Sequence, residues 1–312
     1  MLKVAIIGLG AIGQRLITNF TEHPEMEIAA VCDPLEELLN DTVQALGGVQ
    51  GFADYKELLA KAEIDLVYVA VPPKFHFDIV SDCIAKQKHV LCEKPLANSL
   101  EEAESLYKQA KEKGIIHAMN FPLNYSAGNA TFASYVKKGY IGNLRRLELK
   151  MHFPQWPRAW QQNNWVGRRE QGGFVLEVGV HWIQQIQKIF GPVQLVHRNI
   201  SFPEDASLSE NGILAVLELA DGTPLFIDGI SQIAGKEEVT FTAYGTEGTL
   251  ALHNWSDLYG AKLGSDFEKL EENTPVSSLI DELAKALQNK DADLPDFYDG
   301  YQAQVVLEGL RN

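Results

Sequence analysis

The sequence predicts an α/β domain with a parallel sheet, followed by an α+β domain with an open, mostly antiparallel sheet. Residues 1–119 alternate short apolar runs with helical patterns, which is typical of a parallel sheet with crossover helices. After about Phe121 the apolar segments become longer and alternate with polar residues. Turn signals such as Asp221-Gly222 separate these segments, which favours an antiparallel sheet.

In the first domain we expect five buried strands connected by helices. Each strand is a short apolar run, and each helix follows a run with apolar residues at helical spacing. The expected strands are Val4–Ile7, Ile28–Cys32, Leu66–Val71, His89–Cys92 and Ile115–Met119. The expected helices are Ala11–Phe20, Leu35–Leu46, Tyr55–Ala60, His76–Lys86 and Ser99–Lys111.

The second domain is predicted to combine one sheet with a few helices. We place the boundary near residue 120, giving domains of 1–120 and 121–312, and the closing helices in 277–312 are candidates to pack back on the first domain. The expected strands are Leu144–Phe153, Val193–Ile200, Ile213–Leu219, Leu225–Ile233, Val239–Ala243 and Thr249–Leu252. The expected helices are Gly128–Lys138, Val178–Phe190, Ser277–Leu287 and Tyr301–Leu310.

Composition and charge exclude several classes of partner. The 312 residues include 27 Lys and Arg against 42 Asp and Glu, a formal net charge of -15. This balance gives no general positive field for nucleic acid or an anionic membrane surface. The apolar runs are strand-length, well short of a membrane span, and because the first predicted strand begins at Leu2 we expect no signal peptide. Three cysteines without metal-type spacing fit a reduced, cytoplasmic protein, and we expect no metal site.

The first motif is a glycine-rich loop between the first strand and the first helix. Gly8, Gly10 and Gly13 form G-x-G-x-x-G, in which Gly8 permits a tight turn, Gly10 a close approach of pyrophosphate, and Gly13 close helix packing. With Ala11 and Ile12, the helix N-terminus offers free amides to phosphates. Asp33 ends the second strand, where its carboxylate can bind ribose hydroxyls and repel a 2′-phosphate. The sequence therefore predicts a dinucleotide site that favours NAD over NADP.

Two further loops follow predicted strands of the same sheet, and ligands bind outside the carboxyl ends of parallel strands. The loop Val71-Pro72-Pro73-Lys74-Phe75-His76 is expected near the nicotinamide half of the cofactor, with His76 either in contact with it or only starting a helix. The loop Glu93-Lys94-Pro95 places a lysine where ligand is expected, and the proline can fix the turn that presents it.

The second domain supplies a candidate proton-transfer pair. The run from Gly172-Gly173 to His181 places Glu177 and His181 at positions i and i+4, which share a face if the segment is helical. Histidine titrates near neutral pH and can accept a hydroxyl proton. From the residues alone, a core or capping role for His181 and a solvated role for Glu177 stay open.

A loop rich in tryptophan and arginine precedes this run. Trp156, Arg158, Trp165 and Arg168 are candidates for the wall of a substrate pocket, because indole faces suit the CH face of a sugar and guanidinium groups suit carboxylates, phosphates or vicinal hydroxyls. The alternative is that the tryptophans anchor a long loop to the core.

Together, these motifs occur in one order along the chain: G-x-G-x-x-G, Pro-Pro-x-x-His, Glu-Lys-Pro and G-G-x3-Glu-x-Gly-x-His, with Asp299-Gly300 before the last helix. The pattern resembles the glucose–fructose oxidoreductase, inositol dehydrogenase and MocA (Gfo/Idh/MocA) family over essentially the whole chain. The resemblance implies a Rossmann domain and an α+β domain whose open sheet commonly carries the subunit interface, and hence a homodimer or homotetramer.

The resemblance also implies roles for single residues. Lys94 binds the reacting hydroxyl, His181 acts as acid and base, and Glu177 stands at the position of a substrate-binding acid. The chain departs from the family pattern in having Glu177 and Gln184 where aspartates are usual, and its segment Asn120–Tyr125 lacks an arginine often found there.

The leading hypothesis is an NAD-dependent dehydrogenase or reductase acting on a CH–OH group of a sugar, cyclitol or related polyhydroxy compound, with catalytic residues Lys94, His181 and Glu177. A non-catalytic sensor of dinucleotide and sugar is the alternative from another class, although such a sensor has no need of both Lys94 and His181. A reductase of an imine or a tetrapyrrole is a third possibility, which the arginine-rich loop argues against.

Overall fold

The structure, a computed structural model, describes residues 1–161 and 165–311. The chain divides into two compact units, and the division crosses the last helix. The first unit contains Met1–Phe121 and Ser277–Tyr301, and the second contains Pro122–Val276 and Gln302–Asn312.

The first unit is built on a six-stranded parallel sheet with the strand order β3-β2-β1-β4-β5-β6. Its central strands are buried on both faces, as parallel sheets covered by helices require, which explains their continuous apolar runs. The strands are β1 Leu2–Ile7, β2 Met26–Cys32, β3 Gln50–Phe52, β4 Leu66–Val69, β5 His89–Cys92 and β6 His117–Met119.

Helices connect these strands, and their caps follow from the sequence. Ser99 accepts a hydrogen bond from the Glu102 amide at the start of α5, and Gly114 ends that helix in the left-handed conformation. The helices are α1 Ala11–Glu22, α2 Glu36–Ala45, α3 Tyr55–Lys61, α4 His76–Ala85 and α5 Leu100–Lys113. After the second unit's sheet the chain adds α8 (Leu279–Leu287) to the first unit, and α9 (Phe297–Arg311) begins there.

The second unit is built on an eight-stranded sheet in the order β14-β13-β12-β11-β7-β10-β9-β8. All neighbouring strands are antiparallel except β7 and β10, which are parallel. The strands are β7 Leu144–Phe153, β8 Val193–Ser201, β9 Gly212–Leu219, β10 Pro224–Ser231, β11 Glu238–Gly245, β12 Gly248–His253, β13 Asp257–Lys262 and β14 Glu268–Lys269. The predicted fold class is therefore confirmed.

Helices cover one face of this sheet. They are α6 (Ala127–Lys137) and α7 (Val180–Phe190), and a π-helical turn, Val175–Gly179, leads directly into α7. The largest buried ring of this layer is that of Trp182, which lies 5.8 Å from the ring of Phe241 on β11.

The prediction missed β3, β13 and β14 and placed the start of the last helix too late. β3 has three residues without an apolar run, and β13 contains Gly260, which weakens a strand pattern. The structure explains that glycine, because a Cβ atom at Gly260 would lie 2.7 Å from Leu270 Cδ1. Gly300 weakens the helix pattern in the same way, so the predicted start of α9 came too late. Glycine suits this position because a Cβ atom there would approach Met119 within 3.2 Å.

The three cysteines, Cys32, Cys83 and Cys92, are free and buried, and all lie in the first unit. Burial raises the pKa of the Cys32 thiol to about 12 and raises the pKa values of the other two thiols as well. No helix within residues 1–161 and 165–311 combines the length and the apolar character needed to cross a membrane.

Candidate functional site

The glycine-rich loop joins β1 to α1 at the carboxyl edge of the parallel sheet. Gly8 has φ +95°, and a Cβ atom there would lie 2.5 Å from the Ala70 carbonyl oxygen. A Cβ atom at Gly13 would lie 2.0 Å from the Gly8 carbonyl oxygen, so only glycine lets α1 start this close to the loop. At Gly10, by contrast, a Cβ would meet no atom within 4 Å.

The three glycines differ in the space around them, and Gly10 is the open one. Gly10 is the N-cap of α1 and provides no side-chain cap, so the first amides of the helix are left to other partners. Open space at Gly10, beside a helix start formed with Ala11 and Ile12, is what the approach of a pyrophosphate requires.

Asp33 follows β2 and holds the glycine-rich loop in place. Its buried carboxylate accepts hydrogen bonds from the Leu9 amide at 2.8 Å and from the Leu35 amide at 2.9 Å. The same carboxylate therefore fixes two loops at the edge where an adenosine ribose is expected. The position of Asp33 at the end of β2 follows from the sequence, whereas its hydrogen bonds to the two loop amides do not.

His76 lies at the start of α4 and is fully buried. Its Nδ1 lies 2.8 Å from the Pro95 carbonyl oxygen and its Nε2 lies 2.8 Å from the Val71 carbonyl oxygen. The imidazole thus bridges the loop after β4, which contains Pro72 and Pro73, and the loop after β5. Burial lowers the pKa of His76. The contact of His76 with cofactor stays a prediction, and in the structure both ring nitrogens face backbone carbonyl oxygens.

The carboxylate of Glu93, one residue before Lys94, lies in a buried hydrogen-bond network. Its Oε1 accepts hydrogen bonds from the Tyr68 hydroxyl and from Asn120 Nδ2, both at 2.6 Å. These donors come from β4 and from the residue after β6, so the carboxylate ties three neighbouring strands together at their carboxyl ends. Burial raises the pKa of Glu93, although both hydrogen bonds oppose the shift.

This raised pKa predicts a pH dependence of stability. A carboxyl whose folded-state pKa lies above its unfolded value, about 4.3, stabilises the fold fully below that value, and the contribution is lost as pH rises through the folded pKa. Glu93→Gln is neutral at every pH and should remove this loss, which amounts to about 1.4 kcal/mol per unit of pKa. Urea unfolding between pH 4.5 and 7 should show a smaller fall in the variant than in the wild type. The exposed control Glu112→Gln should keep the wild-type slope, and a Glu93→Gln slope equal to it would contradict the prediction.

The Gly172-Gly173 pair lets the chain turn tightly into the π-helical segment. Gly173 has φ +102°, and a Cβ there would lie 2.2 Å from Glu210 Oε2. Glu210 is itself buried, and its Oε1 accepts a hydrogen bond from the Val175 amide at 2.7 Å. Burial raises the pKa of Glu210. A guanidinium nitrogen of Arg311 donates to the Gly172 carbonyl oxygen at 3.2 Å, which fixes the loop from the other side.

Glu177 and His181 follow on this segment and are both buried, each with about 8% of its surface exposed. The segment is helical, as their predicted spacing required, with Glu177 in the π-helical turn and His181 in the first turn of α7. π-Helical turns occur frequently at functional sites. Gln161 Nε2 lies 3.5 Å from Glu177 Oε2. The ring of His181 meets that of Trp255 edge to face, with centroids 5.8 Å apart.

The residues predicted to form the tryptophan and arginine wall lie in different surroundings. Trp156 is buried against Phe153 and Phe174, with centroids 5.1 and 5.9 Å away. Arg158 lies over the rings of Trp156 and Trp255 at 5.7 Å from each centroid.

The arginines of this wall already have protein partners. Arg158 Nη2 and Nε donate to the two carboxylate oxygens of Glu237 at 2.8 and 3.1 Å. Arg168 is exposed and donates to Ser207 Oγ at 2.7 Å, whereas Trp165 is half-buried. Of the four residues predicted for this wall, Arg158 lies over the Trp255 ring that meets His181, and it also lies over the ring of Trp156.

Two positions where the chain departs from the family pattern contact each other. Asn124 Nδ2 donates to Gln184 Oε1 at 2.9 Å. Gln184 stands where an aspartate is usual, and Asn124 belongs to the segment that lacks the usual arginine. A neutral amide pair therefore occupies these two positions.

Sequence reasoning missed Trp255, Glu210, Tyr68 and Asn120. Each of these residues matters through a contact with a residue distant in the chain, and none of them belongs to a motif. The positive φ values of Asn254 and Trp255 are also invisible to a pattern search. Only the Asn254 type, which tolerates the left-handed region, gave a weak signal of a turn.

The strand order of the first unit, the glycine-rich loop and Asp33 define a protein of the dinucleotide-binding Rossmann class. Its N-terminal residues 2–121 match the model of the Gfo/Idh/MocA oxidoreductase family with an NAD-binding Rossmann fold, and residues 130–251 match that family's C-terminal domain. The chain belongs to the Gfo/Idh/MocA family of oxidoreductases, and the predicted family is confirmed.

Characterised relatives and solved structures resemble the chain over most of its length. The myo-inositol 2-dehydrogenase of Thermotoga maritima is 24% identical, over 81% of this chain and 75% of the relative. The WlbA dehydrogenase of Bordetella pertussis, in complex with NADH and UDP-GlcNAcA, superimposes with a TM-score of 0.86 at 18% identity, over 99% of this chain and 95% of that one.

A third comparison involves the other nicotinamide cofactor. A 3-ketoreductase of Actinomadura kijaniata, in complex with NADP and TDP-benzene, superimposes with a TM-score of 0.85 at 20% identity, over 99% of this chain and 97% of that one. At these identities the two structures establish the fold of the chain. They leave open which of the two nicotinamide dinucleotides it uses.

Proposed function

We propose that the protein is an NAD-dependent dehydrogenase that oxidises a CH–OH group of a sugar, cyclitol or related polyhydroxy compound, or reduces the corresponding ketone. The observation that carries this proposal is the buried imidazole of His181, which lies beside an indole ring in a chain that also contains a dinucleotide-binding unit. The relatives support the substrate class, because their names include an inositol dehydrogenase and a 3-ketoreductase.

The residues of the first unit would hold the dinucleotide. Open space at Gly10 would leave the room that a pyrophosphate needs, Gly8 and Gly13 let the loop and α1 pack closely, and Asp33 would accept the ribose hydroxyls. A carboxylate at that position repels a 2′-phosphate, which favours NAD over NADP. A dinucleotide held there would supply a nicotinamide ring as the acceptor of the hydride from the substrate carbon.

The remaining chemistry belongs to side chains of the protein. His181 would take the proton of the reacting hydroxyl as its carbon becomes a carbonyl, and would return the proton in the reverse direction. The ammonium of Lys94 would donate a hydrogen bond to the same oxygen and stabilise negative charge on it. Glu177, one helical turn before His181, would bind a second hydroxyl of the substrate.

A substrate screen tests this proposal directly. The purified protein would be incubated with NAD and with a panel of aldoses, polyols, inositols and sugar acids, and absorbance at 340 nm would report NADH. We expect turnover with at least one member and a lower kcat/KM when NADP replaces NAD. Tight NAD binding without turnover, in either direction, would favour the sensor hypothesis over the dehydrogenase.

The open face of the eight-stranded sheet supports a homo-oligomer as part of the same proposal. Along β9 and β10 one face is buried, while Leu214, Phe226 and Ile230 point from the other face with 62%, 40% and 37% of their surfaces exposed. Exposed apolar side chains that share one sheet face are typical of a subunit interface. The expected occupant of this face is a second copy of the chain.

Charged substitutions on this face should separate the subunits. Leu214→Glu combined with Ile230→Glu would place carboxylates inside an apolar interface, a change that commonly removes several kcal/mol of association energy. Light scattering after size-exclusion chromatography should give a dimer or tetramer for the wild type and a monomer for the double variant. The exposed control Leu263→Glu, outside the sheet face, should keep the wild-type mass. A wild-type monomer would exclude the interface.

A further inference from the structure

The turn between β12 and β13 holds a tryptophan in a conformation that its residue type disfavours. Asn254 and Trp255 have φ +49° and +79°, and the Ser256 amide donates to the His253 carbonyl oxygen at 3.2 Å. Two central residues with positive φ are the signature of a type I′ turn, in which asparagine followed by glycine is preferred. Asn254 fits the first position, whereas an aromatic residue at the second position is strained.

The surrounding structure fixes this turn firmly. Asn129 is fully buried on α6, and its Nδ2 donates to the Trp255 carbonyl oxygen at 2.9 Å. A Cβ atom at Gly128 would lie 1.8 Å from the Ser256 carbonyl oxygen, so α6 touches the turn through its backbone. Strain that is held in this way occurs preferentially at functional sites.

The indole that results is half-buried and lies among the residues of the candidate site. Its centroid is 5.8 Å from the ring of His181 and 5.8 Å from that of Trp182, with interplanar angles of 73° and 31°. The Arg158 guanidinium lies 5.7 Å from the same centroid and is ion-paired with Glu237. The contacts with Trp182 would hold the ring in place, while its partial exposure leaves area for a ligand.

We propose that Trp255 is the specificity-determining platform on which the CH face of a cyclic polyhydroxy substrate packs. This inference rests on the proposed function and deepens it. A six-membered ring of a sugar or cyclitol has a face of C–H bonds that suits an indole, and an open-chain polyol presents no such face. A ring on Trp255 lies beside His181, so the platform selects cyclic substrates and orients the hydroxyl that loses its proton.

The experiment exploits the turn geometry. Trp255→Gly introduces the residue that the turn prefers and removes the platform. With the ring compound that the screen identifies, we expect KM to rise about tenfold or more. The NAD affinity should stay within about twofold of the wild type. The melting temperature should fall little, because glycine is the residue that the turn prefers. Trp255→Phe should recover part of the KM. Gln232→Gly, a control that also replaces a positive-φ residue (φ +61°) in this unit, should leave KM unchanged.

A binding measurement separates this inference from the proposed function. Saturation-transfer NMR on the NADH-loaded protein, with the same panel, detects ring protons in contact with the protein whether or not turnover occurs. Ring signals that the wild type shows and Trp255→Gly loses would support the platform even if no NADH forms. An unchanged KM or unchanged ring signals in Trp255→Gly, or a wild type that binds no cyclic member of the panel, would overturn it.

Discussion

Lys94→Met should lower kcat by about 10²- to 10³-fold, the usual effect of removing one donor that stabilises a developing oxyanion. Lys94 follows β5 directly after Glu93, and the Glu93 network fixes the backbone there through β4 and the residue after β6. The methionine keeps most of the length and the apolar stem of lysine but cannot donate to the substrate oxygen. The effect should therefore fall on kcat, with little change in the melting temperature.

Steady-state kinetics with the substrate found by the screen would measure this effect, and fluorescence titration would give the affinity for NAD. Lys86→Met, at an exposed position in the same unit, is the matched control and should retain wild-type kcat. If Lys94→Met kept wild-type turnover, the assignment of Lys94 to the reacting hydroxyl would be wrong. The Glu93→Gln variant described above would then be the next test of this loop.

Gly13→Ala should lower the stability of the fold, whereas Gly10→Ala should weaken NAD binding, although both variants add one methyl group to the same loop. At Gly13 the new Cβ would lie 2.0 Å from the Gly8 carbonyl oxygen, so we expect a loss of about 1–3 kcal/mol or more in the free energy of unfolding. At Gly10 the methyl group meets no protein atom, and φ −64° suits any residue. Gly10→Ala should therefore keep the wild-type stability.

Binding of NAD separates the roles of these two glycines. If pyrophosphate approaches the backbone at Gly10, the added methyl group should weaken NAD binding about tenfold or more without any change in the melting temperature. Calorimetric titration of Gly10→Ala would measure this affinity, and thermal unfolding of both variants would measure stability. NAD affinity that is unchanged in Gly10→Ala would place the phosphates elsewhere. An unchanged melting temperature in Gly13→Ala would show that the loop can move aside.

The strands of the first unit could be predicted because burial on both faces leaves a continuous apolar run in the sequence. Leu66–Val69 and His89–Cys92 are of this kind, and the predicted positions match the observed ones within two residues. β3 and β13 could not be predicted in this way. Edge strands need few apolar residues, and Gly260 in β13 satisfies a packing constraint from Leu270 that local sequence does not contain.

The residues of the candidate site also fall into those that local sequence predicts and those that it does not. Gly8, Asp33, Lys94, Glu177 and His181 belong to motifs whose spacing is local, so their positions could be predicted from the sequence. The buried carboxylate of Glu210 lies against Gly173 and accepts a hydrogen bond from the Val175 amide. The ring of Trp255 contacts that of His181. Only the folded chain creates these contacts. His76 shows the limit of a motif, because it starts the predicted helix after the predicted loop, yet each of its ring nitrogens lies 2.8 Å from a backbone carbonyl oxygen.

The buried thiols give the protein an internal reporter of local opening. Cys32, Cys83 and Cys92 all lie in the first unit, and their raised pKa values keep them protonated at neutral pH. A thiol reagent reaches these buried sulfurs when the structure around them opens, and exposure also restores the thiolate, which is the reactive form. The rate of alkylation then reports local opening of the first unit around each thiol. Protection of the thiols by added NAD would report cofactor binding without any substrate and without any engineered label.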